Sequence, residues 1–310
     1  MRPGLYFFYF HDISEDEAIP ATIRTSPTRF EAEANYIWSN FEVLSLDTAV
    51  HRLRHVLEEG KTWNGLSAVI CFDDGFRSVR EQALPILAKL GCPSCIFVNG
   101  AFVEQTAVSE ALIVDVMQRE WAPGRIRELF PDFNERQGLR AYVRQHSCRE
   151  QFELLNRHVG ESILAQRPYL SLPELAALPC DLVIVANHTY RHLLLSNLSK
   201  EEQELEILEN HALLQQLPNY QPVVCIPFGS DDSFDEPTKA LMIRHNHGLL
   251  MKAVGGIDHH LRDGLIEIER IGMNNNKAPI AHHVAQRTEN TGLLRKIARK
   301  VLGRFSQTAH

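Results

Sequence analysis

Apolar residues occur along this chain in short dense runs, each followed at once by polar or turn-forming residues. "LYFFYF" (Leu5–Phe10) runs into "HDISEDE", "LSAVICF" (66–72) into "DDG", and "SCIFV" (94–98) into "NG". "DLVIV" (181–185) leads into "ANH", and "PVVC" (222–225) into "IPFG". Runs this short, with little polar relief, predict strands buried on both faces. Between them the period changes. In "TRFEAEANYIWSNF", Phe30, Ala34, Ile37 and Phe41 fall at helical spacing. "FEVLSLDTAVHRLRHVLEEG" predicts a short strand, then a helix with N-cap Ser45 or Asp47, closed by Gly60. "SVREQALPILAKLG" predicts a helix ending at Gly91. Beyond residue 168 the rhythm resumes with "SLPELAAL", strand, the helix "SKEEQELEILENHALLQQL" and strand. A helix in "PTKALMIRHNHG", stopped by Gly248, and the strands "LLMKAVGG" and "GLIEIERIGM" complete it. Such alternation predicts an α/β fold with a mostly parallel sheet covered by helices.

Residues 101–168 do not keep this rhythm. They are charged and carry helical stretches such as "SEALIVDVMQREW" and "REQFELLNRHVGESILA", which predicts a helical insertion within the main domain. The end of the chain, 293–310, reads as a basic amphipathic helix and tail. With 310 residues, 44% of them apolar, the remainder (1–292) can bury one full core. The net charge of −7 has no long blocks of one sign, which excludes nucleic acid or an anionic membrane surface as the main partner. No apolar run reaches the length of a membrane span. The aromatic opening is too short for a secretory signal and reads as the first strand, so a cytoplasmic location is expected. Oligomeric state leaves no mark in the sequence. Cys71 and Cys225 sit in apolar runs and read as buried hydrophobes; "GCPSC" (Cys92–Cys95) has redox spacing but no second pair, and Cys95 opens a strand.

The chemistry gathers at the C-terminal ends of the strands: His11 and Asp12 after the first, "FDDG" (72–75), "NHTYRH" (187–192) and "PFG" (227–229). In parallel α/β folds these ends are where sites form. His188 and His192, four apart, share one face of a helical turn and suit a single metal. One carboxylate of the Asp73–Asp74 pair would complete an Asp/His/His set suited to Zn²⁺ or a similar divalent ion; the other would be free to take a proton from the attacking water.

These motifs resemble those of the polysaccharide deacetylase family, the NodB-homology carbohydrate esterases. The family's "TFDDG"-like motif stands here as "CFDDG" (71–75), its His-Ser/Thr-x-x-His motif as His188–His192, and its Pro-Phe/Tyr-Gly turn as Pro227-Phe228-Gly229. The resemblance spans about residues 5–272 and is weakest over 101–168. It implies a distorted (β/α) barrel, expected to be seven-stranded, over residues 1–292. It also implies metal-dependent removal of acetyl groups from an N-acetylated saccharide or polysaccharide, in exopolysaccharide or surface-glycan synthesis. Asp74, His188 and His192 are then the ligands of Zn²⁺, or of another divalent ion such as Co²⁺ or Ni²⁺. Asp73 is the general base, and Phe228 marks the turn whose backbone N–H holds the oxyanion.

Two departures bear on the chemistry. Many relatives place an arginine two residues before the turn's proline, where this chain has Cys225, and many use a late histidine as general acid, where "GLIEIERIGM" has Arg270. Arginine does not exchange protons, but it can orient a carboxylate or bind substrate. His11 is then the preferred acid, with His259 and His260 as looser candidates. O-deacetylation of the same class of substrate, where the leaving group needs less help, is the alternative activity. A catalytically weak member that binds a glycan or a protein is the alternative of a different class. Trp38, Trp63 and Trp121 are candidate sugar platforms that more often pack in a core.

Overall fold

The computed structural model describes residues 2–282 apart from 246, 248 and 276; Gly248 and the tail from Leu293 lie outside the described residues. Nine strands form the main ladder: β1 Gly4–Phe10, β2 Leu66–Phe72, β3 Ser94–Val98, β4 Val183–Asn187, β5 Tyr220–Cys225, β6 Leu249–Lys252, β7 His260–Arg262, β8 Leu265–Glu269 and β9 Ile271–Gly272. They lie in the order β7-β8-β6-β5-β4-β3-β2-β1-β9, with the short strand Glu42–Val43 also beside β2. Every pairing in the ladder is parallel except the β7–β8 hairpin.

The apolar runs are continuous because both faces of the sheet are covered. In β1, Tyr6, Phe8 and Phe10 join the large cluster under the helices, while Leu5 and Phe7 join a second cluster. That second cluster takes residues from β1, β2, β3, β4, β5, β6 and β8, strands from both ends of the ladder, so the sheet is rolled rather than flat. The parallel-rich sheet is consistent with the distorted barrel that the resemblance implies, but among the described residues it does not close into a seven-stranded ring. The ladder ends at β7 and at β9. The interruption is Arg270: its N–H donates to Lys252 O and its carbonyl accepts from Gly255 N–H, so it stays with the β6 side. Pairing with β1 begins only at Ile271, opposite Phe8. One stretch of chain therefore serves both ends of the ladder, and Arg270 sits at the switch.

The helices follow their sequence signals. α1 (Pro27–Asn40) starts at the Ser26 N-cap with proline in its first turn; α2 (Leu46–Glu58) has Ser45 as N-cap. Between β3 and β4 the chain is helical, including α3 (Glu110–Glu120) and α4 (Leu139–Gln145), and its apolar residues Leu112, Ile113, Tyr142 and Val143 pack into the large cluster. α5 (Lys200–Leu214) opens with a Ser199/Glu202 capping box. Among the described residues no helix is long and apolar enough to cross a membrane. All six cysteines are free; Cys71 and Cys95 face each other across β2 and β3.

Candidate active site

The C-terminal ends of β1, β2, β4 and β5 converge on one cavity of about 190 Å³, lined by His11, Asp73, Asp74, His188, His192, Phe228 and Arg270 among others. The seven residues singled out from the sequence thus meet in one place.

Asp73 and Asp74 leave β2 in different directions. Asp73 N–H still donates to Phe10 O, while Asp74 turns into the left-handed region (φ 68°) and Gly75 follows at φ 74°. A Cβ on Gly75 would stand 2.9 Å from Val98 Cγ1, so the turn needs glycine for both conformation and space. Arg270, 1% exposed, donates two hydrogen bonds to Asp73, at 2.8 and 2.9 Å. Burial alone would raise the Asp73 carboxyl; the guanidinium, helped by His188, overrides this and holds it at about 2. Asp74, equally buried, has its pKa raised by that burial, only partly offset by His192.

The two histidines are not on a helical turn, as their spacing suggested. His188 follows the end of β4 directly, and His192 is returned by a loop in which Thr189 (φ 65°) and His192 (φ 60°) are left-handed. A web of buried amides sets that loop. Asn99 donates to the carbonyls of His188 and Thr189; Asn187 Oδ1 accepts from Thr189 N–H (2.7 Å) and from Asn210 Nδ2 (2.8 Å). Glu206 accepts from both the N–H and the guanidinium of Arg191. Left-handed non-glycine residues cost on the order of 1–3 kcal/mol each. Asp74, Thr189, His192 and Phe228 all adopt it here; Asp74, His192 and Phe228 line the cavity, and Thr189 follows His188, which also lines it.

The result is a donor set with fixed aim. His188 Nδ1–H donates to Cys225 O (2.8 Å) and His192 Nδ1–H to Glu110 (3.2 Å), so each Nε2, in the neutral ring, has its lone pair to offer a cation. These lie 3.6 and 3.7 Å from Asp74 Oδ1, a buried oxygen without a hydrogen-bond partner among the described residues. The spacing is close to the edge of a tetrahedron with ~2 Å bonds, so the three residues fit a divalent cation. Asp73, His188 and Cys225 form an overlapping group, but it is a poorer one. Both Asp73 oxygens are committed to Arg270, and burial pushes the Cys225 thiol well up. Burial drives His188 down to about 3; for His192, Glu110 and Asp74 outweigh burial and raise it to about 9.

Glu110 gives no signal in the sequence. An acidic first residue of an amphipathic helix reads as a favourable dipole contact and nothing more. Burial would raise its carboxyl, but His192 and, more weakly, Arg140 hold it below the usual range. Phe228 sits at φ 61° with its ring 5.0 Å from that of His192, and its N–H has no acceptor among the described residues. His11 Nδ1 is buried and without a partner among the described residues.

His259 and His260 line a different hollow, with Arg2 and Trp63, and His259 has both ring nitrogens engaged by Leu5 O and Glu269 N–H. The tryptophans are also elsewhere. Trp38 is exposed on α1, Trp63 packs near β2 with its Nε1–H on Ser67, and Trp121 lies under Arg125.

No family model and no curated protein matches this chain. Solved structures do. The deacetylase PplD of Streptococcus pyogenes, in complex with acetate, aligns over 93% of this chain and 98% of its own, at 15% identity and a TM-score of 0.58. A polysaccharide deacetylase from Bacillus cereus aligns over 92% of this chain and 68% of its own (14% identity, TM-score 0.56). This chain has the polysaccharide deacetylase fold. A de-N-acetylase from Aggregatibacter actinomycetemcomitans aligns over 90% of this chain and 99% of its own (11% identity, TM-score 0.57).

Proposed function

We propose that this protein is a metal-dependent deacetylase that hydrolyses the acetamide of an N-acetylated sugar, in exopolysaccharide or surface-glycan synthesis. The observation that carries this reading is the convergence of His188 and His192 Nε2 on the unpartnered Asp74 Oδ1, beside an Asp73 that Arg270 keeps ionised. Asp74, His188 and His192 would hold a divalent ion, Zn²⁺ first among them. When bound, it polarises the acetyl carbonyl and makes water more acidic.

The chain's own groups supply the rest. Asp73 receives the proton of the attacking water at a carboxylate oxygen. Its low pKa makes it a carrier that releases the proton readily. Arg270 orients it and touches no reacting atom. Phe228 N–H, with no acceptor among the described residues, is left to donate a hydrogen bond to the oxyanion that forms on the carbonyl. The sugar amine cannot leave as an anion, so it needs a proton; His11, on the cavity with an unengaged Nδ1, is the donor.

Acetate release from N- and O-acetylated sugars, measured with metal-loaded and chelated protein, tests the reading. Metal-dependent release from the amide is expected. His11→Ala should slow the amide far more than a matched ester with a better leaving group. Metal-loaded protein that frees no acetate from any sugar would overturn the proposal.

A further inference from the structure

Three arginines line the cavity, and they differ in what neutralises them. Arg270 is bidentate on Asp73. Arg144 pairs with Asp232 through two bonds (2.8 and 3.2 Å), donates to Ser230 Oγ at 2.8 Å, and lies over the Phe228 ring, 5.3 Å from its centroid. Arg140, one turn earlier on α4, forms no ion pair among the described residues; its hydrogen bond goes to Thr22 Oγ1. The carboxylates facing the same hollow are already engaged. Asp73 is taken by Arg270, Glu110 by His192, and Asp74 stands between the two histidines. Arg140 is therefore a half-buried positive charge with no ion pair of its own among the described residues, on the wall of a catalytic cavity; the nearest help is Glu110, which it feels only weakly and which is already bonded to His192.

A neutral sugar entering that hollow strips water from the guanidinium and returns little. An anionic substituent replaces the lost hydration with charge-assisted bonds, and the planar guanidinium fork matches the oxygens of a carboxylate or a phosphate. The rest of the wall agrees. The tryptophans that would grip a long neutral glycan lie elsewhere, and 190 Å³ is small beside the ~300–1,000 Å³ of pockets that enclose a whole drug-sized ligand. Such a cavity takes one sugar ring with its acetamide, and Arg140 meets what that ring carries.

We infer that Arg140 recognises a negative charge on the acetylated sugar, and that the substrate class is an anionic acetylated saccharide bearing a carboxylate or phosphate near the reacting ring. The inference rests on the deacetylase reading and names its substrate class. Arg144, clamped by Asp232 and stacked on Phe228, keeps α4 and hence Arg140 in place over the cavity.

The test compares three sugars with the full, metal-loaded chain: a neutral N-acetylglucosamine glycoside, N-acetylglucosamine 1-phosphate, and an N-acetylhexosaminuronate. Acetate release and calorimetric binding are both read. At least one charged sugar is expected to be favoured by about 10–100-fold, the range for hydrogen bonds to a charged group, with the preference shrinking as salt is raised. Comparing phosphate with carboxylate identifies the anion. Arg140→Gln should bring the charged-to-neutral ratio close to one. Arg140→Lys, which keeps the charge and loses the fork, should retain part of it and serves as the second variant. Equal turnover and equal binding of charged and neutral sugars would overturn the inference and leave the deacetylase reading standing. If no sugar releases acetate, that reading fails, and the binding ratio still decides the role of Arg140.

Discussion

Asp73 and Asp74 are adjacent in sequence and equally buried, yet the fold gives them opposite environments. Asp73 meets a guanidinium that holds it near 2, while Asp74 is raised by burial and offers its Oδ1 to no protein donor among the described residues. The pair that looks like an electrostatic fault thus falls into two environments, with one carboxylate paired inside the protein and the other without a protein donor to its Oδ1 among the described residues, as the proposed metal ligand would be. Asp73→Asn should retain metal while kcat falls roughly 10²–10⁴-fold, the range for a lost general base. A metal-free variant would show that the two assignments are reversed. Glu110 belongs to the same scale. Its carboxylate fixes the His192 tautomer, so Glu110→Gln should weaken metal affinity about 10–100-fold, as losses of such outer partners do. Metal titration reads this without any assay of turnover, and unchanged affinity would show that the loop alone orients His192.

At the scale of elements, the site depends on a five-residue loop that no regular structure holds. Asn210, on α5, ties Val98 O to Asn187 Oδ1, and Asn187 in turn receives Thr189 N–H. Asn210→Ala should cost about 1–3 kcal/mol of stability, because buried polar groups lose their partner. It should also lower metal affinity by releasing the strained Thr189 and His192. Denaturant unfolding and metal titration check the two parts; a loss of stability with affinity intact would mean that Asn99 and Glu206 suffice. β1 to β6, α1, α2 and α5 were legible, since their apolar period and caps are local signals; β7, in a stretch that reads as loop, was not. The Asp/His/His set was legible through motif and strand end, although the turn carrying the histidines was not. Its geometry comes from Asn99, Asn187, Asn210 and Glu206, residues scattered over the chain. Glu110 and Arg140 were illegible for the same reason: on an isolated helix each is an ordinary surface charge, and only the packing of α3 and α4 over the strand ends gives them a role. The interruption of the ladder at Arg270 was hidden too, because pairing with Phe8 is a long-range choice that the apolar pattern of "GLIEIERIGM" does not encode.

At the scale of the whole molecule, the end of the sheet opposite the cavity carries no proposed chemistry and bears on stability instead. His259 sits there with Phe7 edge-on at 5.5 Å, Nε2–H on Leu5 O at 2.9 Å and Nδ1 receiving Glu269 N–H at 3.2 Å. It joins the stretch after β6 to the first strand, 254 positions apart in the sequence. The bond from Glu269 N–H requires the neutral ring, because a protonated Nδ1 cannot accept; the bond to Leu5 O survives protonation. Burial lowers its pKa to about 4; the Leu5 carbonyl and Asp258 oppose the shift, and His260 and Arg2 add to it. The unfolded chain therefore binds the proton first as pH falls. Stability from this residue is complete above its unfolded value of about 6.5 and is lost as pH drops from there toward 4, with no further change once both states are protonated. Carboxylates titrate in the lower part of the same window, so the measurement must be a difference. Melting temperature against pH, from 7.5 to 4, should fall less steeply in His259→Gln than in the parent chain, even though the variant begins lower at pH 7.5 because it forfeits part of the bonding. The two curves should draw together near pH 4. Parallel curves across the window would show that His259 titrates alike in the folded and unfolded chain, and that burial and the Glu269 bond do not select the neutral ring.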